Sequence, residues 1–283
     1  MRVLAANIED VMREAAARWT LVAYFFISTL FIIIFASAIN LDIVDGALAG
    51  AQLFGKEFDM NDSMSIEKLV LGFESGFSVF LYIICTFTAV FATAHLVPRM
   101  QDKGTVDLYL SRPVGRVQLL LSRYVAGMIL AASNIIYLIG SVWLIVIWKT
   151  GVANGRFLMG GVIIFLMIAV LLAFAFLVGV ITSSTAVSIM TTFAIFLFGA
   201  LMAGHEKFSA AVSTEWQSWI IESLYWIFPK SAEMGRTVFA FVGGAKLTEG
   251  AVSIASPSAF ITTAAFGIAC LTLASWLFTR KEF

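Results

Sequence analysis

Few residues of this chain have both the type and the spacing that catalysis or cofactor binding requires. The closest match is the run from Gly50 to Glu57, GAQLFGKE, whose glycines and lysine follow the spacing of a phosphate-binding loop. Glu57 stands where such a loop needs a Ser or Thr hydroxyl to bind Mg²⁺, so we expect no nucleotide there. No zinc-protease, serine-hydrolase or paired-carboxylate pattern occurs in or beside the long apolar runs of the chain. The sequence therefore predicts no catalytic residue, no metal site and no cofactor bound by the chain itself.

The overall composition is that of a membrane protein. Of the 283 residues, 60% are hydrophobic and only 13% are charged, and the mean hydropathy is +0.95. A soluble fold of this size could not bury so much apolar surface in one core. The formal net charge is zero, which disfavours nucleic acid as a partner. The two cysteines, Cys85 and Cys270, both lie in apolar runs, so neither a disulfide framework nor a thiolate metal site is expected.

Six apolar runs are long enough to cross the bilayer as helices. Each has about 20 residues or more, which at ~1.5 Å per residue spans a hydrocarbon layer of ~30 Å. None contains Asp, Glu, Lys or Arg, and backbone groups in lipid must be satisfied within the segment. The predicted fold is an all-α integral membrane protein with six transmembrane helices. The runs are Trp19–Ile39, Phe77–Val97, Tyr124–Trp148, Phe157–Ile181, Thr185–Gly204 and Ala259–Phe278, and the polar bend 182–184 makes the fourth and fifth a tight hairpin.

The distribution of Lys and Arg predicts that both termini are cytoplasmic. With the N-terminus inside, the inner segments are 1–18, 98–123, 182–184 and 279–283. They hold ten of the eighteen Lys and Arg residues, in about half the length of the outer segments. The outer segments hold twelve of the eighteen acidic residues. The outer segments are 40–76, 149–156 and 205–258.

Two regions outside the apolar runs have helical patterns of their own. Apolar residues recur at helical spacing through 1–18, with charged residues on the other side, which indicates an amphipathic helix in the inner interface. The outer connection 205–258 is rich in Trp and Tyr, which favour the membrane interface. It predicts one or two short helices that lie on or dip into the outer leaflet before the last span. These helices either brace the spans or form a gate.

Ionisable groups are scarce inside the predicted membrane region. His95 lies one turn from the inner end of the second run, where we expect it to be neutral and hydrogen-bonded, and Glu74 lies just outside the outer end of that run. Ion-driven transporters usually carry carboxylates within the membrane. Their absence indicates that any transport by this chain takes its energy from a partner.

The inner segment between the second and third runs predicts how that partner binds. Pro113 disfavours helix at Arg112, which gives an elbow between a short helical stretch and the helix that enters the third run. Apolar and charged side chains are mixed around this elbow, which suits docking into a groove on a soluble protein. The alternative is a solvated loop that only supplies the positive charge required by topology.

Residues 103–116, KGTVDLYLSRPVGR, resemble the signature of ABC-2-type permeases. That signature reads approximately E-x-G-T-[LI]-x-x-L-L-[AS]-x-P-[VI]-[ST]-R, and Tyr109 and Gly115 depart from it. The layout is also similar: an interfacial N-terminal helix, six spans, and the aromatic segment ending at Pro229 before the last span. The matching residues are Gly104, Thr105, Leu108, Leu110, Pro113 and Arg116.

The resemblance implies the membrane subunit of an ATP-driven exporter. In that family the inner loop is a coupling helix seated in a cleft of a separate ABC ATPase, which binds ATP and Mg²⁺, so that two permeases and two ATPases form the transporter. It further implies a homodimer in a bacterial or archaeal cytoplasmic membrane, surrounded by lipids. The implied domains are the helix 1–18 and the six-span domain 19–283, with the coupling loop at 98–123. The implied coupling residues are Arg99, Asp102, Gly104, Thr105, Asp107, Leu108, Tyr109, Leu110, Pro113 and Arg116.

Two further hypotheses and a candidate path remain open. The chain could be a membrane anchor or assembly factor that recruits an ATPase without moving a substrate. A membrane enzyme acting on lipids is disfavoured because the sequence contains no candidate acid, base or metal cluster. Polar residues in the spans could line a path between two permeases, or could only form ordinary hydrogen bonds between helices. They are Thr86, Thr88, Thr93, Ser133, Asn134, Thr191 and Thr192.

Overall fold

A computed structural model describes residue 9 and residues 19–44, 47–53, 56–57, 66–101, 115–211, 214–244 and 255–281. Within these ranges, five helices are long and apolar enough to cross a membrane. A sixth, shorter apolar helical segment covers Leu21–Ser37. The described helices are consistent with the predicted helical membrane protein, in which five of the six predicted spans meet these criteria. The interfacial helix predicted for 1–18 lies outside the described residues, apart from Glu9, which is exposed.

The helices coincide with the predicted runs but extend beyond two of them. The second run was predicted from Phe77, and its helix begins at Ile66; the third was predicted from Tyr124, and its helix begins at Arg116. A hydropathy pattern detects only the apolar part of a helix, whereas backbone hydrogen bonds continue through polar turns. The helices are α1 Trp19–Ala38, α2 Ile66–Thr93, α3 Leu96–Met100, α4 Arg116–Thr150, α5 Gly155–Thr182, α6 Thr185–Met202, α7 His205–Ala211, α8 Glu215–Ile227, α9 Ser231–Gly243 and α10 Pro257–Arg280.

A small antiparallel sheet between α1 and α2 was not predicted. Its strands lie in the order β1-β2-β3, and a register irregularity separates Asp42 from Ile43. The signal for β1 is present in the sequence, because apolar residues alternate there with Asn40 and Asp42 at the period of a strand. The strands are β1 Ile39–Val44, β2 Ala47–Leu53 and β3 Lys56–Glu57.

Helix α5 forms the centre of the bundle. It packs against α2, α4, α6, α9 and α10, and more than half of its residues are buried. A helix that is apolar on all sides is expected in such a position. We name the two ends of the bundle after residues that border α5 or its neighbours: the Asn154 end, where α5 begins, and the Gln101 end, where α5 finishes beside α3. A larger buried cluster fills the Asn154 half and a smaller one fills the Gln101 half.

The predicted hairpin between the fourth and fifth runs is confirmed. Helix α5 ends at Thr182 and α6 begins at Thr185, so two residues connect them. Ser183 has φ of +53°, the left-handed conformation that lets a chain leave a helix sharply. The Ser184 side chain caps α6 by accepting a hydrogen bond from the Val187 amide at 3.5 Å.

The connection 205–258 contains the three helices α7, α8 and α9 among its described residues. Helix α8 lies on the surface as expected, with no buried residue. Most residues of helix α9 are buried and it packs against α2 and α5, as a helix that braces the spans would. Gly235 permits this approach, because an added Cβ would lie 3.3 Å from the Tyr82 ring. Helix α9 is therefore part of the bundle.

Candidate functional site

Gln101 joins three elements at the end of the bundle where the predicted coupling loop begins. It directly follows α3, and its amide Nε2 donates to the Gly179 carbonyl of α5 at 2.9 Å. Its Oε1 accepts a hydrogen bond from Ser183 Oγ, in the turn between α5 and α6, at 2.8 Å. Gln101 thus binds the first turn of the loop to the α5–α6 hairpin.

Lys281 brings the end of α10 into the same cluster. Its ammonium donates to Gln101 Oε1 at 2.5 Å, to the Val180 carbonyl at 2.7 Å and to Ser183 Oγ at 2.8 Å. A carbonyl near the C-terminus of a helix carries partial negative charge, which favours a cation there. Partial burial lowers the pKa of Lys281 from its ordinary value of 10.5. We call Gln101, Ser183 and Lys281 the Gln101 cluster.

Helix α4 follows segment 102–114, and two of its arginines also bind residues at the Gln101 end of the bundle. Arg116 is the first residue of α4, and its guanidinium donates to the Lys281 carbonyl at 2.7 Å and the Thr279 carbonyl at 3.2 Å. Arg123 is 2% exposed and donates to the Leu96 carbonyl of α3 at 3.3 Å. The residues on both sides of segment 102–114 are therefore fixed to the bundle.

Close packing places α3 directly against α5. An added Cβ on Gly179 would lie 3.2 Å from the Pro98 ring and 3.3 Å from Ser188 Oγ, so a larger residue would push α3 away. Pro98 itself is buried. The short helix before the loop is consequently held by packing as well as by the Gln101 hydrogen bond.

The structure places two of the ten predicted coupling residues in this frame. Arg99 lies in the last turn of α3 and is half-buried, and Arg116 begins α4. The sequence alone did not identify Gln101, Ser183 and Lys281 as parts of this frame. The available signals were the polar bend at 182–184 and the basic residues at the C-terminus, which were used only for topology. The other eight lie outside the described residues: Asp102, Gly104, Thr105, Asp107, Leu108, Tyr109, Leu110 and Pro113.

At the opposite end, a buried amide and a buried carboxyl hold α9. Glu74 is 1% exposed inside α2, not beyond its end as the sequence suggested. Its Oε2 accepts a hydrogen bond from Asn154 Nδ2 at 2.7 Å, and the same amide donates to the Val242 carbonyl of α9 at 3.1 Å. Asn154 also caps α5 by accepting from the Arg156 amide at 3.1 Å. One side chain thus connects α2, α5 and α9.

The start of α9 is fixed just as firmly. Tyr82 of α2 donates to the Ser231 carbonyl at 2.8 Å, and Ser231 Oγ donates to the Phe196 carbonyl of α6 at 2.7 Å. A Cβ on Gly199 would collide with the Pro229 carbonyl oxygen, so α6 approaches this turn as closely as its backbone allows. Both ends of α9 are therefore bound to the long helices.

Lys230 is held against aromatic rings immediately before α9. Its ammonium lies 4.0 Å from the Tyr225 ring centroid and 4.5 Å from that of Trp226, and it donates to Thr262 of α10 at 3.1 Å. Burial lowers its pKa from the ordinary 10.5, while nearby Glu233 acts in the opposite direction. Lys230 is 3% exposed, so a cation directly before the helix is largely removed from water.

The described hydrogen bonds of the predicted path residues do not connect these residues to one another. Asn134 lies between α4 and α1, where its Oδ1 accepts a hydrogen bond from Ser28 Oγ at 3.0 Å. The threonines lie on α2 and α6, which contact each other. Their role in a path stays a prediction. Each threonine hydroxyl donates to the carbonyl four residues earlier in its own helix: Thr86, Thr93, Thr191 and Thr192.

The residues with cofactor-like spacing form no such site. Gly50 lies in β2 and Lys56 in β3, whereas a phosphate-binding loop leads into a helix with its lysine at the helix start. Over the described part of the chain, no group of three or more His, Cys, Asp or Glu side chains is placed to hold a metal ion. The candidate site is therefore the frame around segment 102–114, which suits mechanical contact with a partner.

Comparison with known proteins identifies a family for the chain. A family model described as ABC-2 family transporter protein matches residues 10–283, nearly the whole chain. No curated protein matches the chain.

Proposed function

Because this chain belongs to the ABC-2 transporter family, we propose that it is the permease subunit of an ATP-driven exporter whose ATPase docks on segment 98–123. Membership makes the chain a multi-pass membrane transport component and implies an ABC ATPase partner. The export direction and the docking segment are the finer parts of the proposal. Two ATPases and a second copy of the chain, as a homodimer, complete it.

The observation that supports this proposal is the frame around segment 102–114. Gln101 precedes the segment and is bonded to the α5–α6 hairpin and to Lys281, while Arg116 follows it and is bonded to the end of α10. A displacement of the segment is thereby transmitted to α4, α5, α6 and α10 together. Since α5 is packed against most of the long helices, they can respond as rigid bodies.

We place the Gln101 end at the cytoplasm and the Asn154 end outside, in a bacterial or archaeal cytoplasmic membrane. Helix α1 then crosses as the sixth span, and both termini are cytoplasmic. The basic residues of the Gln101 cluster and α4 support this orientation. Helix α8, with Trp216 62% exposed and Trp219 70% exposed, lies in the outer interface in this arrangement.

The docking proposal is tested by affinity purification from membranes followed by mass spectrometry. A tagged wild type is compared with a Gly104→Pro/Leu108→Asp variant, which would interrupt a coupling helix and place a charge in the segment. The matched control is Gly250→Pro/Val252→Asp, the same kinds of change in the connection at the other end. We expect an ABC ATPase with the wild type and with the control, and not with the segment variant.

Two results would contradict the docking proposal. One is an equal yield of ATPase from all three proteins, provided that each remains in the membrane fraction. The other is no ATPase with a folded wild type. The first would move docking elsewhere on the chain, and the second would remove the partner from the proposal.

Export is distinguished from simple anchoring of an ATPase by a nucleotide-dependent change in the spans. Cys85 and Cys270 are 1% and 6% exposed, so a cysteine introduced for half-buried Thr191 is the preferred target of a maleimide. A permease that moves a substrate past α6 should show a labelling rate at Thr191→Cys that differs between ATP-bound and nucleotide-free complexes. Identical rates would favour the anchor. Exposed Thr279→Cys serves as the reference for reagent access.

A further inference from the structure

The surface helix α8 carries an open-sided cavity of about 400 Å³ on one of its faces. Trp219 and Trp226 both line it, and their spacing of two helical turns places them on the same face of α8. Glu222 and Ser223 lie between the two indoles in the sequence, and Ile227 completes the lining. The cavity thus combines two aromatic rings with a single carboxylate.

The carboxylate of Glu222 is available to a ligand. Glu222 is exposed, and it forms no hydrogen bond or ion pair within the described part of the chain. Lys230, the cation that follows α8, is instead influenced by Glu233. Glu233 in turn accepts a hydrogen bond from Tyr225, so these groups form a separate contact. The negative charge beside the indoles is therefore not neutralised by the residues that the structure describes.

Both indoles keep ring surface exposed. Trp219 is 70% exposed and Trp226 is 49% exposed. The Trp226 ring centroid lies 4.5 Å from the Lys230 ammonium, but Lys230 is only 3% exposed and so contacts the ring from its buried side. The faces of Trp rings attract ammonium groups, and sites for quaternary ammonium ions are built from such rings. The lining of the cavity therefore favours an organic cation over an anion.

The position of α8 indicates the source of that cation. The helix has 13 residues, too few to span the hydrocarbon, and none of them is buried. In the arrangement proposed above it lies in the outer interface, at the level of the phospholipid headgroups. Ile220 and Ile227, 40% and 58% exposed, provide apolar surface for acyl chains. A zwitterionic headgroup brings an ammonium group to this level, whereas the headgroup of an anionic lipid offers Glu222 no cation.

From these features we infer that the cavity on α8 binds the ammonium group of a zwitterionic phospholipid, next to Glu222 and against the rings of Trp219 and Trp226. The inference rests on the interfacial position of α8 in the proposed arrangement, and it is independent of the ATPase partner. Failure of lipid binding would therefore leave ATPase docking untouched, and failure of docking would leave the lipid site untouched.

The test is native mass spectrometry of the purified full chain titrated with palmitoyl-oleoyl phosphatidylcholine or with the phosphatidylglycerol of the same acyl chains. We expect the wild type to bind phosphatidylcholine about fourfold more tightly, as an exposed cation–π contact allows. Glu222→Gln should remove most of this preference. Glu215→Gln is the matched control and should keep it, since Glu215 is exposed on the same helix and lies outside the cavity.

A pair of tryptophan variants tests the aromatic part of the site. Trp219→Leu should lower the affinity for phosphatidylcholine about threefold, because one ring face is lost. Trp216→Leu should leave the affinity unchanged, since Trp216 is 62% exposed about one turn earlier and lies outside the cavity. If Trp219→Leu does not fold, Glu222→Gln still decides, because it changes an exposed side chain and keeps its size.

Two results would overturn the inference. Equal effects within each pair of variants would show that any carboxylate or tryptophan of α8 acts in the same way. Displacement of bound phosphatidylcholine by millimolar choline chloride, but not by sodium chloride at the same concentration, would assign the cavity to free ammonium ions. Retention of the lipid in both salts supports the phospholipid headgroup as the occupant.

Discussion

The two ends of the bundle use hydrogen bonds of different kinds. At the Asn154 end, Asn154 and Glu74 are 7% and 1% exposed, and the Asn154 amide binds α2 and α9 through buried hydrogen bonds. At the Gln101 end, the cations Lys281 and Arg116 are only partly buried and bind backbone carbonyls, and Arg123 alone of these three described cations is fully buried. Breaking a buried hydrogen bond leaves a polar group unsatisfied and is costly. A partly solvated cation, in contrast, can exchange one hydrogen-bond acceptor for water or for a group on a partner protein.

This difference indicates which end of the helix bundle changes conformation more easily. The Asn154 end holds α9 from both of its termini and resists separation of α2, α5 and α6. The Gln101 end borders the proposed docking segment with contacts that a partner can compete for. The permease is therefore expected to change shape at the Gln101 end while the Asn154 end stays together.

Replacing Asn154 should give the largest loss of stability. Asn154→Leu removes the bonds to Glu74 and Val242 and the cap on α5, and leaves a buried carboxyl without its donor, at a cost of about 3 kcal/mol. Thermal unfolding in detergent measures the loss. Glu74→Gln, which keeps an acceptor for Asn154, should cost much less. An equally small effect of both changes would remove the contrast between the two ends.

The corresponding change at the Gln101 end should affect coupling more than stability. Gln101→Leu deletes the bonds to Gly179, Ser183 and Lys281 in a partly wet site, which should cost about 1 kcal/mol of stability. The ATPase activity of the co-purified complex should fall by about fivefold, as expected when about 1 kcal/mol of coupling is lost. Unchanged ATPase activity together with reduced stability would show that Gln101 is only structural.

Two substitutions of Ser183 distinguish the effect of backbone strain from the effect of hydrogen bonding in the Gln101 cluster. Ser183→Ala keeps the left-handed φ of +53° and loses the bond to Gln101, whereas Ser183→Gly loses the same bond but adopts that φ without strain. The glycine variant should be more stable than the alanine variant by about 1 kcal/mol. Urea or thermal unfolding of the pair measures the difference. A reversed order would mean that the turn does not keep this conformation.

The smallest expected effect is the contribution of Lys230 to the pH dependence of folding stability. Burial lowers its pKa in the folded protein, so below that pKa the folded state carries the full cost of a poorly solvated charge. As pH rises from the folded pKa toward about 10.4, the unfolded chain binds more protons and stability increases. Lys230→Met should therefore reduce the rise in unfolding temperature between pH 8 and 10. A steeper rise in the variant would reverse the sign of the argument.

The sequence alone determined the class, the helices and the family. Runs of about 20 apolar residues without charge can be satisfied only as helices in lipid, and the bend at 182–184 marked the hairpin because polar residues interrupt such a run. The segment 103–116 pointed to the family that nearly the whole chain matches. The class and the helices rest on local periodicity and composition, and the family rests on the resemblance of one short segment; none of these needs knowledge of contacts between distant residues.

Only the tertiary structure decided which polar residues work together. Glu74 and Asn154 are separated by 80 positions, and Gln101 and Lys281 by 180, so no local pattern could pair them. The sequence left open whether the short helices of 205–258 brace the spans or form a gate, and close packing at Gly235 and Gly199 admits α9 to the bundle. Burial and pairing are properties of facing surfaces, and these surfaces exist only once the helices have packed.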